Sequence, residues 1–121
     1  MGSKVTEEVK ATQSVKELVE KDYTAAVLES TIPVVLDFYS TDSAACTALA
    51  PRFGAVAEKF EGKIQFIKVL RQNNPGLAEK LGVTASPTLV FFKQGQESGQ
   101  RLTGNDIKRT DLKAQVEALL K

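Results

Sequence analysis

An α/β domain, with a central mixed β-sheet flanked by helices on both faces, is the architecture this sequence predicts, and three observations predict it. The run Val34-Val35-Leu36-Asp37-Phe38-Tyr39 is apolar but for one acid, so it reads as a central strand covered on both faces. A second buried run, Thr88 to Phe92, follows two stretches whose apolar residues recur at helical spacing. Beyond it a Gly95 turn leads to a last amphipathic helix, so strands and helices alternate and then close on a hairpin and a helix.

Residues 1–14 are polar and charged with little periodicity, which reads as a flexible lead-in or a short accessory helix, opening on a cloning remnant, Met1-Gly2-Ser3. The domain proper is expected over 15–121. Val15 to Val19 suits a short strand, and Asp22 suits the N-cap of a helix carrying Tyr23, Val27 and Leu28 on one face. Pro33 opens the central strand. Ser40 to Ala45 is a polar turn, and the helix that follows to about Phe60 aligns Leu49, Phe53, Val56, Ala57 and Phe60, with Pro51 inside it expected to kink it. Gly62 ends this helix, and Ile64 to Leu70 alternates as a strand with Ile64, Phe66 and Lys68 on one side. Asn73-Asn74-Pro75-Gly76 starts a short helix through Leu77 and Leu81 that Gly82 closes. After Gly95 a weaker strand is expected near Gln100 to Thr103. Asp106 to Leu120 then forms a helix with Leu112, Val116, Leu119 and Leu120 facing inward.

Composition narrows the chemistry. At 121 residues one core is expected, and a domain of this size folds without disulfides or a structural metal. A composition 42% hydrophobic and 26% charged, with net charge +1, gives no bulk attraction to nucleic acid or to an anionic membrane. With no His and one Cys, zinc sites and imidazole mechanisms are excluded, and no metal or other cofactor is expected. Its one thiol, Cys46, cannot make a disulfide within the chain. No stretch approaches the roughly 20 apolar residues that span a bilayer, and no signal-peptide core opens the chain. A cytoplasmic monomer is the expectation, or a periplasmic one if a signal sequence was removed.

Three features remain that packing does not explain: the acid in the buried strand, a Ser-Ala-Ala-Cys turn at a helix start, and Ser86-Pro87-Thr88 before a buried strand. In this order, with Cys46 through Pro51, Gly82-Val83 and Phe92-Lys93-Gln94-Gly95, they make the chain resemble the thioredoxin family from about Val15 to Leu120. The resemblance implies the thioredoxin fold. In that family the turn reads Trp-Cys-Gly-Pro-Cys, and here the same positions are Asp42-Ser43-Ala44-Ala45-Cys46. Ser43 therefore stands at the nucleophile's position and Cys46 at that of the shielded resolving thiol. Unlike a cysteine, a serine there is too weak an acid to ionise and has no imidazole base, so its natural role is an N-cap.

By the same resemblance Asp37 is a buried acid that shuttles a proton to or from Cys46, with its pKa raised by burial. Lys68 matches the lysine that pairs with that acid. Pro87 matches a cis-proline, and Ser86 before it would offer backbone N–H and C=O to an extended substrate chain, with Asp42 and Tyr39 also on the substrate side. Asp42 in place of tryptophan, Ala44-Ala45 in place of Gly-Pro and Ala85-Ser86 in place of Gly-Ile depart from the family pattern.

The function implied is a thiol-disulfide oxidoreductase acting on disulfide-containing proteins and recharged by a dithiol reductase. Ser43 replaces its attacking cysteine or selenocysteine, so the chain as written is inactive in dithiol exchange. The competing reading is a natural redox-inactive module that binds peptides or a partner in the cis-proline groove. A third is a monothiol protein in which Cys46 is modified by a small thiol.

Overall fold

The apolar run at the centre of the sequence becomes the centre of the sheet. The computed structural model describes residues 14–121, so the lead-in expected at 1–14 lies, but for Ser14, outside the described residues. Strand β1 (Val15–Glu17) and strand β2 (Val34–Tyr39) both run parallel to β3 (Gln65–Leu70), and β4 (Thr88–Lys93) is antiparallel to β2. Two short strands, β5 (Gln96–Glu97) and β6 (Leu102–Thr103), pair antiparallel with β4, giving the order β1-β3-β2-β4-β5 with β6 also on β4. The strand expected near Gln100 to Thr103 is thus shortened to Leu102–Thr103, and a further short strand, Gln96–Glu97, precedes it. Gly99, at φ 79°, leaves the extended region and takes the chain off the ladder before β6 rejoins it.

Between β1 and β2 the chain forms a 3-10 turn (Glu20–Asp22) and a π-helical segment (Thr24–Leu28) instead of one capped helix. Asp22 lies inside the 3-10 turn and caps nothing. The turn is held from a distance: Glu20 donates its backbone N–H to Asn74 Oδ1 at 2.9 Å, and Leu77 N–H donates to Glu20 Oε1 at 3.0 Å. Tyr23 and Val27 are buried as expected, whereas Leu28 is exposed.

Helix α1 (Ala44–Lys59) starts at Ser43 and contains Pro51, which has no N–H to give the carbonyl one turn back. Helix α2 (Pro75–Lys80) has proline in its first turn, where a missing N–H costs nothing. Helix α3 (Arg109–Leu119) starts later than Asp106 and ends one residue before Leu120. Leu120, at the C-cap, is exposed, while Leu112, Val116 and Leu119 are buried.

These helices cover both faces of the sheet. On one, Leu36, Phe38, Ile67, Val90 and Phe92 pack with Tyr23 and Val27 and with Leu77 of α2. On the other, Val35, Phe66, Leu89 and Phe91 pack with Leu49, Phe53 and Val56 of α1 and with Leu112 and Val116 of α3. Each large side chain removed from water here stabilises the fold by roughly 1.5–3 kcal/mol. At the β4–β5 turn Gln94 and Gly95 both have positive φ, 55° and 78°, as a two-residue hairpin of the right twist requires. A Cβ on Gly95 would lie 2.7 Å from the Leu28 carbonyl oxygen, so only glycine fits.

Candidate functional site

The candidate site forms where parallel neighbours β2 and β3 end side by side, the place where an α/β sheet leaves a crevice. From β2 the chain passes through Ser40, Thr41 and Asp42 to Ser43, whose extended backbone (φ −111°, ψ 122°) precedes α1. Ser43 Oγ accepts the Cys46 N–H at 3.2 Å and its carbonyl accepts the Thr47 N–H at 3.1 Å, a complete N-cap. Cys46, one turn in, is 8% exposed. Its Sγ accepts the Ser40 N–H at 3.3 Å, so the thiol is tucked beneath the turn that carries Ser43.

Asp37 sits below, on β2, 6% exposed, between Lys68 of β3 and Leu89 of β4 in the sheet register. Its Oδ1 is the sole buried side-chain N or O atom without a hydrogen-bond partner among the described residues. Burial pushes the Asp37 carboxyl up to about 7, and the positive charge of Lys68 opposes that only in part. Lys68 does not rest on Asp37. Its ammonium lies 3.9 Å from Glu17 Oε1, on edge strand β1, and 5.5 Å above the Tyr39 ring. There it keeps its water, which a position against the buried carboxyl would not allow. Tyr39 donates its hydroxyl to Glu17 Oε2 at 2.6 Å, and burial, followed by that hydrogen bond and the negative charges of Glu17 and Asp37, pushes the phenol up. Asp37, Tyr39, Cys46 and Lys68 line one cleft of about 490 Å³, with Val15 and Phe53 among its apolar walls.

On the other side of the turn stands the loop before β4, where the Ser86-Pro87 peptide bond is cis. Thr88 Oγ1 donates to the Ala85 carbonyl at 2.8 Å and pins this loop. Two residues that the sequence reading passed over tie it to the turn. Arg71, the first residue after β3, donates Nε–H to Ser86 Oγ at 2.7 Å. Gln72 Oε1 accepts from the Thr41 N–H at 3.0 Å and from the Thr41 hydroxyl at 3.2 Å. Asp42 is exposed, and its carboxylate is held below the usual range by the Ser40 hydroxyl it accepts from, then by its own backbone N–H and the charge of Arg71. The signal that could have found Arg71 is topological: it follows the strand beside the one that ends at the turn carrying Ser43.

Ser43 thus caps the helix at the edge of a cleft that Cys46 and Asp37 line from beneath, with Lys68 and Tyr39 at its side, while Ser86, beside Pro87, is held by Arg71 and does not line that cleft. A central strand running into a capped helix, with a cis-proline loop across from it, places the domain among proteins of the thioredoxin fold. The family model described as Thioredoxin matches residues 14–118. A Thioredoxin 1 of a Nostoc species is 35% identical over 81 residues, which are 67% of this chain and 76% of that protein. The chloroplastic Thioredoxin M-type of Spinacia oleracea is 34% identical over 93 residues, 77% of this chain and 50% of its own length. The chloroplastic Thioredoxin X of Arabidopsis thaliana is 31% identical over 107 residues, 88% of this chain and 58% of that protein. This chain belongs to the thioredoxin family. These relatives come from cyanobacteria and chloroplasts and fix no compartment for it; no helix among the described residues is long and apolar enough to cross a membrane.

Proposed function

We propose that the chain carries a thioredoxin-type thiol-disulfide exchange site whose attacking position is filled by Ser43, so that as written it does not catalyse dithiol exchange. Cys46 is the resolving thiol, Asp37 the proton shuttle beneath it, and Lys68 tunes that acid from the side. Ser86 and Pro87, with Asp42 and Tyr39, form the substrate-facing surface. The observation that carries this reading is Ser43 at the N-cap of α1, directly joined to a buried Cys46 that shares a cleft with Asp37, whose Oδ1 has no hydrogen-bond partner among the described residues.

A cysteine at that N-cap would meet exposed backbone N–H groups and the positive end of the helix dipole, which favour its thiolate. That thiolate would attack a substrate S–S bond, form a mixed disulfide and release the first substrate sulfur with the electron pair. Cys46 would give its proton to Asp37 and attack the mixed disulfide, releasing the second sulfur and leaving a disulfide between positions 43 and 46. Disulfide-containing proteins are the substrates in this scheme, and a dithiol reductase restores the pair. A serine hydroxyl fails at the first step.

Ser43→Cys is expected to restore reduction of insulin disulfides, well above background, in the presence of a chemical reductant. A folded revertant without such activity overturns the oxidoreductase reading. It would leave the peptide-binding reading, which the fully satisfied Ser43 cap favours because nothing at that position is poised for chemistry.

A further inference from the structure

Arg71 is held by one edge and open on the other. Its Nε–H is committed to Ser86 Oγ at 2.7 Å, whereas neither terminal nitrogen has an acceptor among the described residues. A guanidinium carries five N–H donors in a rigid fork, so fixing Nε aims the Nη edge in one direction. Asp42 feels the charge of Arg71 but forms no ion pair with it within 4 Å. Arg71 is half-buried, so its positive charge is partly desolvated, with no carboxylate within 4 Å among the described residues.

We propose that Arg71 is a specificity-determining residue that grips a carboxylate on an extended, acidic peptide docked along Ser86. This rests on the reading of Ser86 and Pro87 as the substrate groove. A strand laid along the Ser86 backbone points alternate side chains to the same side, so one of them faces the open Nη edge. A Glu or Asp there forms charge-assisted, bidentate hydrogen bonds, and a Lys is repelled. An apolar residue would cover the guanidinium without giving it an acceptor. The rest of the rim agrees, since Asp42, Gln72 and Ser86 offer no large apolar anchor and leave polar contacts to choose the substrate. Asp42, which feels the charge of Arg71, opposes this grip: its negative charge weakens an acidic peptide's hold.

The test uses seven-residue peptides with Glu, Ala or Lys on both sides of a cysteine capped as the neutral thiopyridyl disulfide. Attack by the thiolate introduced in Ser43→Cys breaks the S–S bond and releases thiopyridone, which absorbs light. Rates are divided by those of the same peptides with dithiothreitol, which removes differences in intrinsic reactivity. The Glu peptide is expected to react roughly tenfold faster than the Ala peptide, and the Lys peptide slowest, as for a partly desolvated charge pair. Adding Arg71→Gln, which keeps a donor for Ser86, should bring the Glu/Ala ratio to about one. Arg71→Lys should keep part of the ratio, Asp42→Asn should enlarge it, and about 0.5 M salt should shrink it. Equal rates for the three peptides, or a preference that survives Arg71→Gln, overturn the proposal. A folded but inactive Ser43→Cys revertant means that the redox reading has failed. Docking is then read by titrating the peptides, with Ala for cysteine, into the unsubstituted chain and following backbone amide shifts at Arg71 and Ser86. Roughly tenfold tighter binding of the Glu peptide upholds the proposal, and equal or absent binding overturns it.

Discussion

The two faces of β2 are built from one short stretch of chain and solve different problems. Toward α2 the strand presents Val34, Leu36 and Phe38, all essentially inaccessible and all apolar. Toward α1 it presents Val35, then Asp37, then Tyr39, passing from core to buried acid to half-buried phenol as the strand nears the crevice. One face only holds the sheet together. The other gives up packing, step by step, to place polar groups under the turn that carries Ser43. The cost falls on a single atom, Asp37 Oδ1, which has lost water and gained no partner.

The comparison breaks most visibly when one residue from each face is truncated. Leu36→Ala removes a fully buried side chain from a closed core and should destabilise the fold by about 2–5 kcal/mol at every pH, read from denaturant melts. Asp37→Asn should do the reverse at neutral pH. The folded carboxyl sits near 7 and the unfolded one near an ordinary ~3.9, so the folded state binds the extra proton between those values. Stability contributed by the neutral carboxyl is complete below the unfolded value, falls as pH rises, and is lost above about 7. The asparagine variant should therefore match its parent near pH 4 and exceed it at pH 8 by on the order of 1–3 kcal/mol. A variant less stable than its parent at pH 8 would mean that Asp37 is ionised and well paired.

How far this was legible in sequence follows the same division. Leu36, Phe38 and the inner faces of α1 and α3 announce themselves through apolar spacing, and Asp37 stands out as one acid in an apolar run. The small residues of the turn are legible once Cys46 and Pro87 are read together. Glu17, Arg71 and Gln72 are not, since a charged or polar residue at a strand end or on an edge strand has the same local pattern as a solvated one. Only the pairing of β1 with β3 and of β3 with β2 brings Glu17, Lys68 and Asp37 into one row. Lys68 was expected against Asp37 and rests on Glu17 because the edge strand supplies an acid where the ammonium stays wet. Asp22 likewise looked like a cap, and a distant side chain, Asn74, took over the turn.

A smaller effect sharpens the contrast between rim and floor. Cys46 is tucked under the turn and Ser43 stands at its edge, so the thiol should react with a thiol-modifying reagent at least about tenfold more slowly in the native protein than in denaturant, because burial restricts access. Equal rates would put Cys46 on the rim and favour the monothiol reading.

The smallest effect concerns the row that crosses the sheet. Glu17 holds two groups that flank Asp37: it accepts the Tyr39 hydroxyl at 2.6 Å and draws the Lys68 ammonium to 3.9 Å. Glu17→Gln keeps an acceptor for Tyr39 but removes the charge that draws Lys68 outward. Two consequences then act on Asp37 in the same direction. A negative charge near the carboxyl is gone, and the ammonium is free to lean toward the floor of the cleft, where its attraction is screened less than at the exposed edge. Both favour the ionised carboxylate, so the Asp37 pKa should fall from its raised value. Because Glu17 and Lys68 are both about half exposed, their ion pair contributes little to stability, and neutral-pH melts should change by less than about 1 kcal/mol. The carboxyl ¹³C shift of Asp37, followed through a pH titration of both proteins, reads the change directly. An unchanged or higher pKa in Glu17→Gln would show that Lys68 is held at the edge by its own hydration, and that the floor of the site is insulated from β1.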